Sequence, residues 1–238
     1  MSFYIVLIAV SIAAFMTVLA HKLTIIAAVT GVVVSMFIFM GAGYTGLILL
    51  AAFFILGTLA TSFKIKQKES LAIAETNKGK RNAGQVLANG GVAAILGLLA
   101  WVFPQYSTLL GVMMAAGFAS ATADTLSSEL GNVYGKKFYN ILSFKKDIRG
   151  EDGVISLEGT LCGLAGSILI AVIYAVGFGW NACFIYIIIA GTIGNLFDSV
   201  LGATLERKGA IGNNTVNFLN TLVAALAAWL MMQMDSIL

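Results

Sequence analysis

Every lysine and arginine in the chain falls in alternate connections between eight apolar runs. The runs cover residues 3–20, 23–40, 44–63, 82–103, 108–130, 155–178, 182–205 and 216–234. Lys22 follows the first run, and Lys64, Lys66, Lys68, Lys78, Lys80 and Arg81 follow the third. Lys136, Lys137, Lys145, Lys146 and Arg149 follow the fifth, and Arg207 and Lys208 the seventh. The connections at 41–43, 104–107 and 179–181 carry no charge. Runs of about 20 apolar residues cross a hydrocarbon core as helices, and lipid forces each backbone polar group to find an internal partner. The expected fold is therefore an all-α integral membrane protein of about eight transmembrane helices. Positive charge collects on the cytoplasmic side, so the pattern predicts cytoplasmic basic connections and both termini on the non-cytoplasmic side. Charged residues make up 11% of the chain, against about 25% in a soluble domain. The 26 glycines and single proline suit close-packed membrane helices. The first run has no basic leader and no small-residue cleavage site after it, and reads as a retained helix.

Two runs break the apolar rule. The stretch 120–134, SATADTLSSELGNVY, carries Asp124 and Glu129, and the stretch 191–206, GTIGNLFDSVLGATLE, carries Asp198. A carboxylate at membrane depth costs roughly 2.5–3.5 kcal/mol even on lenient scales, so it faces a polar cavity and usually has a function. Both stretches contain Gly-x6-Asp-Thr/Ser, as Gly117 with Asp124-Thr125 and Gly191 with Asp198-Ser199. Two helices apart, they read as parallel repeats. In runs 4 to 8 the amides, hydroxyls and carboxylates crowd the halves next to the basic connections, leaving the opposite halves apolar. Asn82, Gln85 and Asn89 form one stripe; Asn213, Asn217 and Asn220 share another face. Gly159-xxx-Gly163 invites close approach of another helix.

This distribution predicts a polar cup open to the cytoplasm and closed on the other side. The chain reads as one membrane domain over 1–238: a scaffold of three helices (1–63), a basic cytoplasmic surface segment (64–81) and a catalytic bundle (82–234). Segment 64–80 reads as a short amphipathic helix with Ile65, Leu71 and Ile73 toward the interface and its lysines toward lipid headgroups.

The inventory points to phosphoryl transfer. Asp124, Glu129 and Asp198 are hard oxygen ligands suited to Mg²⁺, which favours one or two carboxylates plus phosphate oxygens. Lys78, Lys80 and Arg81 lie in the same layer and suit phosphate, with Asn82, Gln85 and Asn89 as further donors. Phosphoryl transfer asks for positioning and charge neutralisation more than covalent chemistry. The single histidine, His21, lies between the first two runs, so no histidine-based nucleophilic arrangement exists. No GxxxxGK[ST] loop is present. Cys162 and Cys183 fall at different depths and read as free thiols. Isolated polar residues such as Ser167, Asn220 and Thr221 read as interhelical hydrogen-bond glue. Nothing in the charge pattern suggests nucleic acid.

The ordered motifs KRNAGQVLANGG, ATADTLSSELG, EDGVISLEGTLCGLAG, GNLFDSVLGATLE and NNTVNFLNT, from about Lys78 to Asn220, resemble the phytyl-phosphate kinase family, which includes transmembrane protein 19. The resemblance implies CTP-dependent phosphorylation of an isoprenyl (phytyl- or prenyl-type) monophosphate to the diphosphate, in lipid metabolism. It is similar in broad outline to the polyprenol and dolichol kinases. Carried over by motif, Asp124, Glu129 and Asp198 hold Mg²⁺, with Asp124, Asp198 and Arg81 at the reaction centre. Lys78, Lys80, Asn82, Gln85, Asn89, Asn213, Asn214 and Asn217 bind nucleotide or phosphate. The chain departs from the family pattern at Leu126-Ser127 and at Glu151-Asp152. Two alternatives use the same residues: cytidylyl transfer from CTP to a lipid phosphate, and a transporter or flippase of a phosphorylated lipid. The one-sided polar layer stands against the second.

Overall fold

The structure, a computed structural model, describes residues 2–73 and 79–235. Lys78 lies outside the described residues. The chain is helical almost throughout: α1 (Ser2–Leu19), α2 (Ile25–Ser62), α3 (Ile65–Ser70), α4 (Ala83–Val102), α5 (Ser107–Tyr134), α6 (Leu157–Phe178), α7 (Cys183–Leu201) and α8 (Asn213–Asp235). A 3₁₀ turn, Pro104–Tyr106, precedes α5, and a π turn, Gly202–Glu206, ends α7. The one sheet among the described residues is a pair of two-residue antiparallel strands, β1 (Tyr139–Asn140) and β2 (Val154–Ile155), between α5 and α6.

Among the described residues six helices are long and apolar enough to cross a membrane, and the apolar part of α1 (Phe3–Leu19) is shorter. The second and third apolar runs both lie in α2, which is broken at Gly43 (φ 58°, ψ −147°). This backbone conformation requires a residue without Cβ. Past it the chain folds back: a Cβ on Gly46 would lie 2.8 Å from Cγ2 of Ile38, eight residues earlier. In a straight helix those positions would be about 12 Å apart. The rings of Phe39 and Tyr44 meet edge-on across the turn at 5.4 Å. Residues 25–42 and 44–62 are thus two arms of a hairpin, and with α1 they supply the first three of the eight expected helices. The first arm runs beside α4 in the same direction. A Cβ on Gly97 would fall 2.9 Å from Cα of Ile38, so the two backbones touch there.

α5 is the axis of the bundle. From Gly111 to Ala123 it is buried at every position but Met113, enclosed by α2, α4, α6, α7 and α8. Its small residues Ala115, Ala119 and Ala123 let neighbours close in without side-chain hydrogen bonds. Gly159 and Gly163 of α6 pack as their spacing predicts: added Cβ atoms would lie 2.6 Å from the Ser127 carbonyl oxygen and 2.9 Å from that of Ala123. α1 packs chiefly on α2 and turns Tyr4, Ile8, Ile12, Phe15 and Met16 outward.

The described basic residues gather at one end of the bundle. Leu23 bridges Arg81 in a short parallel contact, Lys22 donates to the Ser62 hydroxyl at 3.0 Å, and Arg207 pairs with Asp147 at 2.9 Å. The opposite end carries the Gly43 turn and the uncharged 3₁₀ turn.

The segment 64–80 departs from expectation. Its helix, α3, is only six residues long, and the chain turns at Ala72 (φ 55°). Lys68 faces inward rather than toward headgroups, with its side chain 1% exposed. It donates to the carbonyl oxygens of Ala60 (2.8 Å) and Thr61 (3.1 Å) and to Glu129 (2.5 Å). The physical reason is the end of α2. Its last carbonyls have no intrahelical partner, and a cation there meets the negative end of the helix dipole. Breaking a buried pair by removing one partner costs about 3–5 kcal/mol. Lys68→Met should therefore lower stability by about 3 kcal/mol in a detergent unfolding titration, and adding Glu129→Gln should recover part of the loss. An unchanged midpoint in the single variant would show that Glu129 reaches water without its lysine.

Candidate functional site

Asp124 and Asp198 come together because α5 and α7 touch backbone to backbone one turn earlier. A Cβ on Gly191 would lie 2.6 Å from Cβ of Ala119, and one on Gly194 would strike the Ser120 side chain. Only glycine permits this approach. The helices run parallel, so four residues beyond the Ser120–Gly194 contact the carboxyl groups of Asp124 and Asp198 face each other within hydrogen-bonding reach. α8 fixes the geometry. The Asn220 amide donates to Asp198 Oδ2 at 2.6 Å and its Oδ1 accepts from the Ser120 hydroxyl at 3.2 Å. Asn220 is fully buried, so this chain from α5 through α8 to α7 is shielded from competing water.

The pair lines a cleft of about 860 Å³, counted with its open mouth, at the basic end of the bundle. Ser127 of α5 donates to Asn195 Oδ1 of α7 at 3.0 Å, crossing the cleft beneath Gly163 of α6. The loop Gly150–Ser156 forms another wall. It lies flush on the end of α7 because Gly153 (φ 74°) meets Gly202, where an added Cβ would fall 2.8 Å from the Gly153 nitrogen. The π turn begins at that contact, as such turns frequently do beside functional sites.

The lining is acidic and amide-rich: Asp124, Glu151, Asp152, Asp198 and Glu206 with Asn132, Asn195 and Asn213, and no lysine or arginine among the described residues. Among the described residues neither Asp124 nor Asp198 forms an ion pair, and no group of three or more histidine, cysteine or acidic side chains is arranged to hold a metal ion. In the connecting loop, burial and the neighbouring Glu151 charge raise the Asp152 carboxyl, an effect opposed by Arg207. Asp147 is held below the ordinary range by its hydrogen bond from Arg207 and by the Ile148 N–H.

The site residues expected from sequence separate into three groups. Asp124, Asp198 and Asn213 line the cleft. Glu129 turns to Lys68, so the three expected metal carboxylates are not brought into one cluster. Asn82 and Gln85 form a reciprocal capping box at the start of α4, with bonds of 3.0 and 2.9 Å. Asn89 donates to the Gln85 carbonyl, Asn217 donates to Asn213, and Asn214 packs on Gly84. Lys80 does not line the cleft. The Arg81 guanidinium stacks over Phe53 and Phe54 at 5.2 and 5.6 Å and lines a second, apolar cavity on the far side of α5. Asn195, Asn132 and Asp152 line the cleft without having been named as site residues, although Asn195 shares a helical spacing with Asp198, Asn132 a stripe with Glu129, and Asp152 lies in a departure from the family pattern. Asn220 bonds across helices, in keeping with its reading as interhelical glue, and one of its partners is Asp198. Cys162 and Cys183 are free thiols, as expected.

Two outcomes follow from this geometry. Asn220→Leu strips partners from Asp198 and Ser120 and should cost about 1–3 kcal/mol, seen as a lower unfolding midpoint; an unchanged midpoint would mean that water replaces the amide. Asp152 has a raised carboxyl pKa, so its charged form disfavours the folded state above its unfolded value of about 3.9. Asp152→Asn should raise the melting temperature at pH 7.5, and the gain should vanish as the pH falls toward 4.

No solved structure matches the chain. Protein VTE6, chloroplastic, of Arabidopsis thaliana is 35% identical over 206 residues, which cover 80% of this chain and 60% of that protein. The chain thus spans less than two thirds of that relative's length. Uncharacterized membrane protein MJ0933 of Methanocaldococcus jannaschii is 37% identical over 184 residues, covering 77% of this chain and 75% of the relative. Uncharacterized membrane protein sll0875 of Synechocystis sp. is 33% identical over 199 residues, covering 82% and 77%. The family described as Integral membrane protein DUF92 matches residues 8–225. With that match over most of its length, and with the ordered motifs that carry the resemblance noted above, the chain belongs to the DUF92 family of integral membrane proteins.

Proposed function

We propose that this protein is a membrane-embedded kinase that transfers the γ-phosphoryl group of CTP to an isoprenyl monophosphate, giving the diphosphate and CDP. The observation that carries the reading is the Asp124–Asp198 pair. Two carboxylates face each other at the foot of a polar cleft with no cation bonded to either among the described residues. Two hard oxygen donors with room for further ligands suit Mg²⁺, which takes one or two carboxylates and completes its shell with phosphate oxygens and water. When bound there, Mg²⁺ neutralises charge on the transferring phosphoryl group.

The protein's own residues position the reactants. Asn195, Asn132 and Asn213 offer amide donors to nucleotide phosphates, and Asn220 keeps Asp198 aimed into the cleft. An oxygen of the acceptor monophosphate attacks the γ-phosphorus, and the bond from that phosphorus to the β-phosphate oxygen breaks. The acceptor is already an anion, so no general base is required, in keeping with a chain whose one histidine lies outside the cleft. The positive-inside rule assigns the basic end, and with it the cleft, to the cytoplasm and both termini to the opposite side. The motif resemblance to the phytyl-phosphate kinase family supports the substrate class, and VTE6 supports membership of a related lineage.

The test uses full-length protein in detergent with farnesyl monophosphate and either γ- or α-labelled CTP. Label should enter lipid from γ-CTP alone, stop with EDTA, and return with Mg²⁺. Label from α-CTP alone would assign cytidylyl transfer instead, and no nucleotide consumption would overturn both. Asp124→Asn and Asp198→Asn should each reduce turnover at least 100-fold, the order of loss when electrostatic stabilisation of a transition state is removed, while elution as a folded species is unchanged.

A further inference from the structure

The second cavity lies between α1, both arms of α2 and α4. Its volume is about 1020 Å³ with its opening, and its walls are almost wholly hydrocarbon. Arg81 and Gln85 are its charged and amide groups, and both stand at the basic end of the bundle. From there the lining descends α4 to Gly90, the chain from Leu23 along the first arm of α2 to Ser35, α1 to Val10, and the second arm of α2 as far as Leu47. At about 1.5 Å per residue these are depths of roughly 13–23 Å, short of a ~30 Å hydrocarbon core. Below it the cavity closes, because α2 and α4 touch backbone to backbone where Gly97 meets Phe37 and Ile38. Gly31 faces the void: an added Cβ there would meet no atom within 4 Å.

We propose that this cavity holds the hydrocarbon tail of a single-chain amphiphile whose phosphate head is bound by Arg81, and that its depth selects tail length. The charge distribution chooses the occupant. The Arg81 guanidinium lies over the rings of Phe53 and Phe54, and a guanidinium is a planar, permanently charged donor suited to phosphate. An apolar shaft closed at its inner end and capped by a cation fits one prenyl or alkyl chain on a phosphate. α5 alone separates this head from the acidic cleft: a Cβ on Gly57 would touch both the Arg81 guanidinium and the methyl of Thr125, the neighbour of Asp124. With α5 between Arg81 and the Asp124–Asp198 cleft, the cavity is a lipid-phosphate binding site that stands apart from the kinase reading.

The experiment measures saturable binding of tritiated farnesyl monophosphate to full-length protein in phosphatidylcholine nanodiscs, without nucleotide. Bulk phospholipid is present in excess, so binding under these conditions reports a preference for the single-chain phosphate over a membrane lipid. Farnesyl monophosphate should bind at least tenfold more tightly than farnesol, and Arg81→Met should erase that difference. Gly31→Phe, whose Cβ meets no atom within 4 Å and whose ring enters the cavity, should weaken farnesyl monophosphate at least tenfold and leave geranyl monophosphate within threefold of wild type. Absence of saturable binding, equal affinity for farnesol, or an unchanged farnesyl affinity in Gly31→Phe would each overturn the proposal. Any of these together with intact CTP consumption leaves the kinase reading standing; binding as described with no CTP consumption removes the kinase reading and keeps the site.

Discussion

The close contact of α5 and α7 governs the chemistry this chain can present. Like charges in a low-dielectric surrounding repel strongly, and nothing in either helix alone would hold two carboxylates side by side at membrane depth. The contact at Gly191 and Gly194 does so by removing the side chains that would otherwise keep the helix axes apart. The register is notable: Ser120 meets Gly194 and Asp124 meets Asp198, the same sequence offset in both pairs. The glycines of the repeated Gly-x6-Asp element differ in their partners: Gly191 meets Ala119 of α5, whereas Gly117 faces Thr221 of α8.

Around that contact, α5 divides the bundle into two compartments of opposite character. On one side lies an acidic, amide-lined cleft, and on the other an apolar shaft topped by Arg81. The helix can serve as a partition because its central stretch, Gly111 to Ala123, is buried at every position but Met113.

Much of this was legible beforehand, for reasons that differ by residue. The apolar runs, the one-sided charge and the Asp124–Asp198 pairing follow from lipid solvation, which penalises each exception separately and so marks it in the linear sequence. The Gly159–Gly163 packing was equally readable, because small residues at that spacing have few other uses in a membrane helix. Residues with two competing local uses were misread. Asn82 and Gln85 have the i, i+3 spacing of a capping box as well as that of a phosphate-facing stripe, and the helix start claims them. Partners far apart in the chain left no local signal. Nothing near Asn220 reveals that it holds Asp198, and nothing near Lys68 distinguishes it from the lysines around it. The break at Gly43 was visible as a glycine-rich gap, but the near-continuous helical hydrogen bonding across it was not.

The Lys68–Glu129 pair joins residues 61 positions apart, and this separation imposes an order on biogenesis. During synthesis the hairpin of α2 emerges first and Lys68 after it, with α5 not yet made. Until α5 is made, the ammonium group has the carbonyls of Ala60 and Thr61 but no carboxylate partner. Arrival of Glu129 completes the pair, so the end of the first hairpin and the central helix are tied by a contact that neither makes alone.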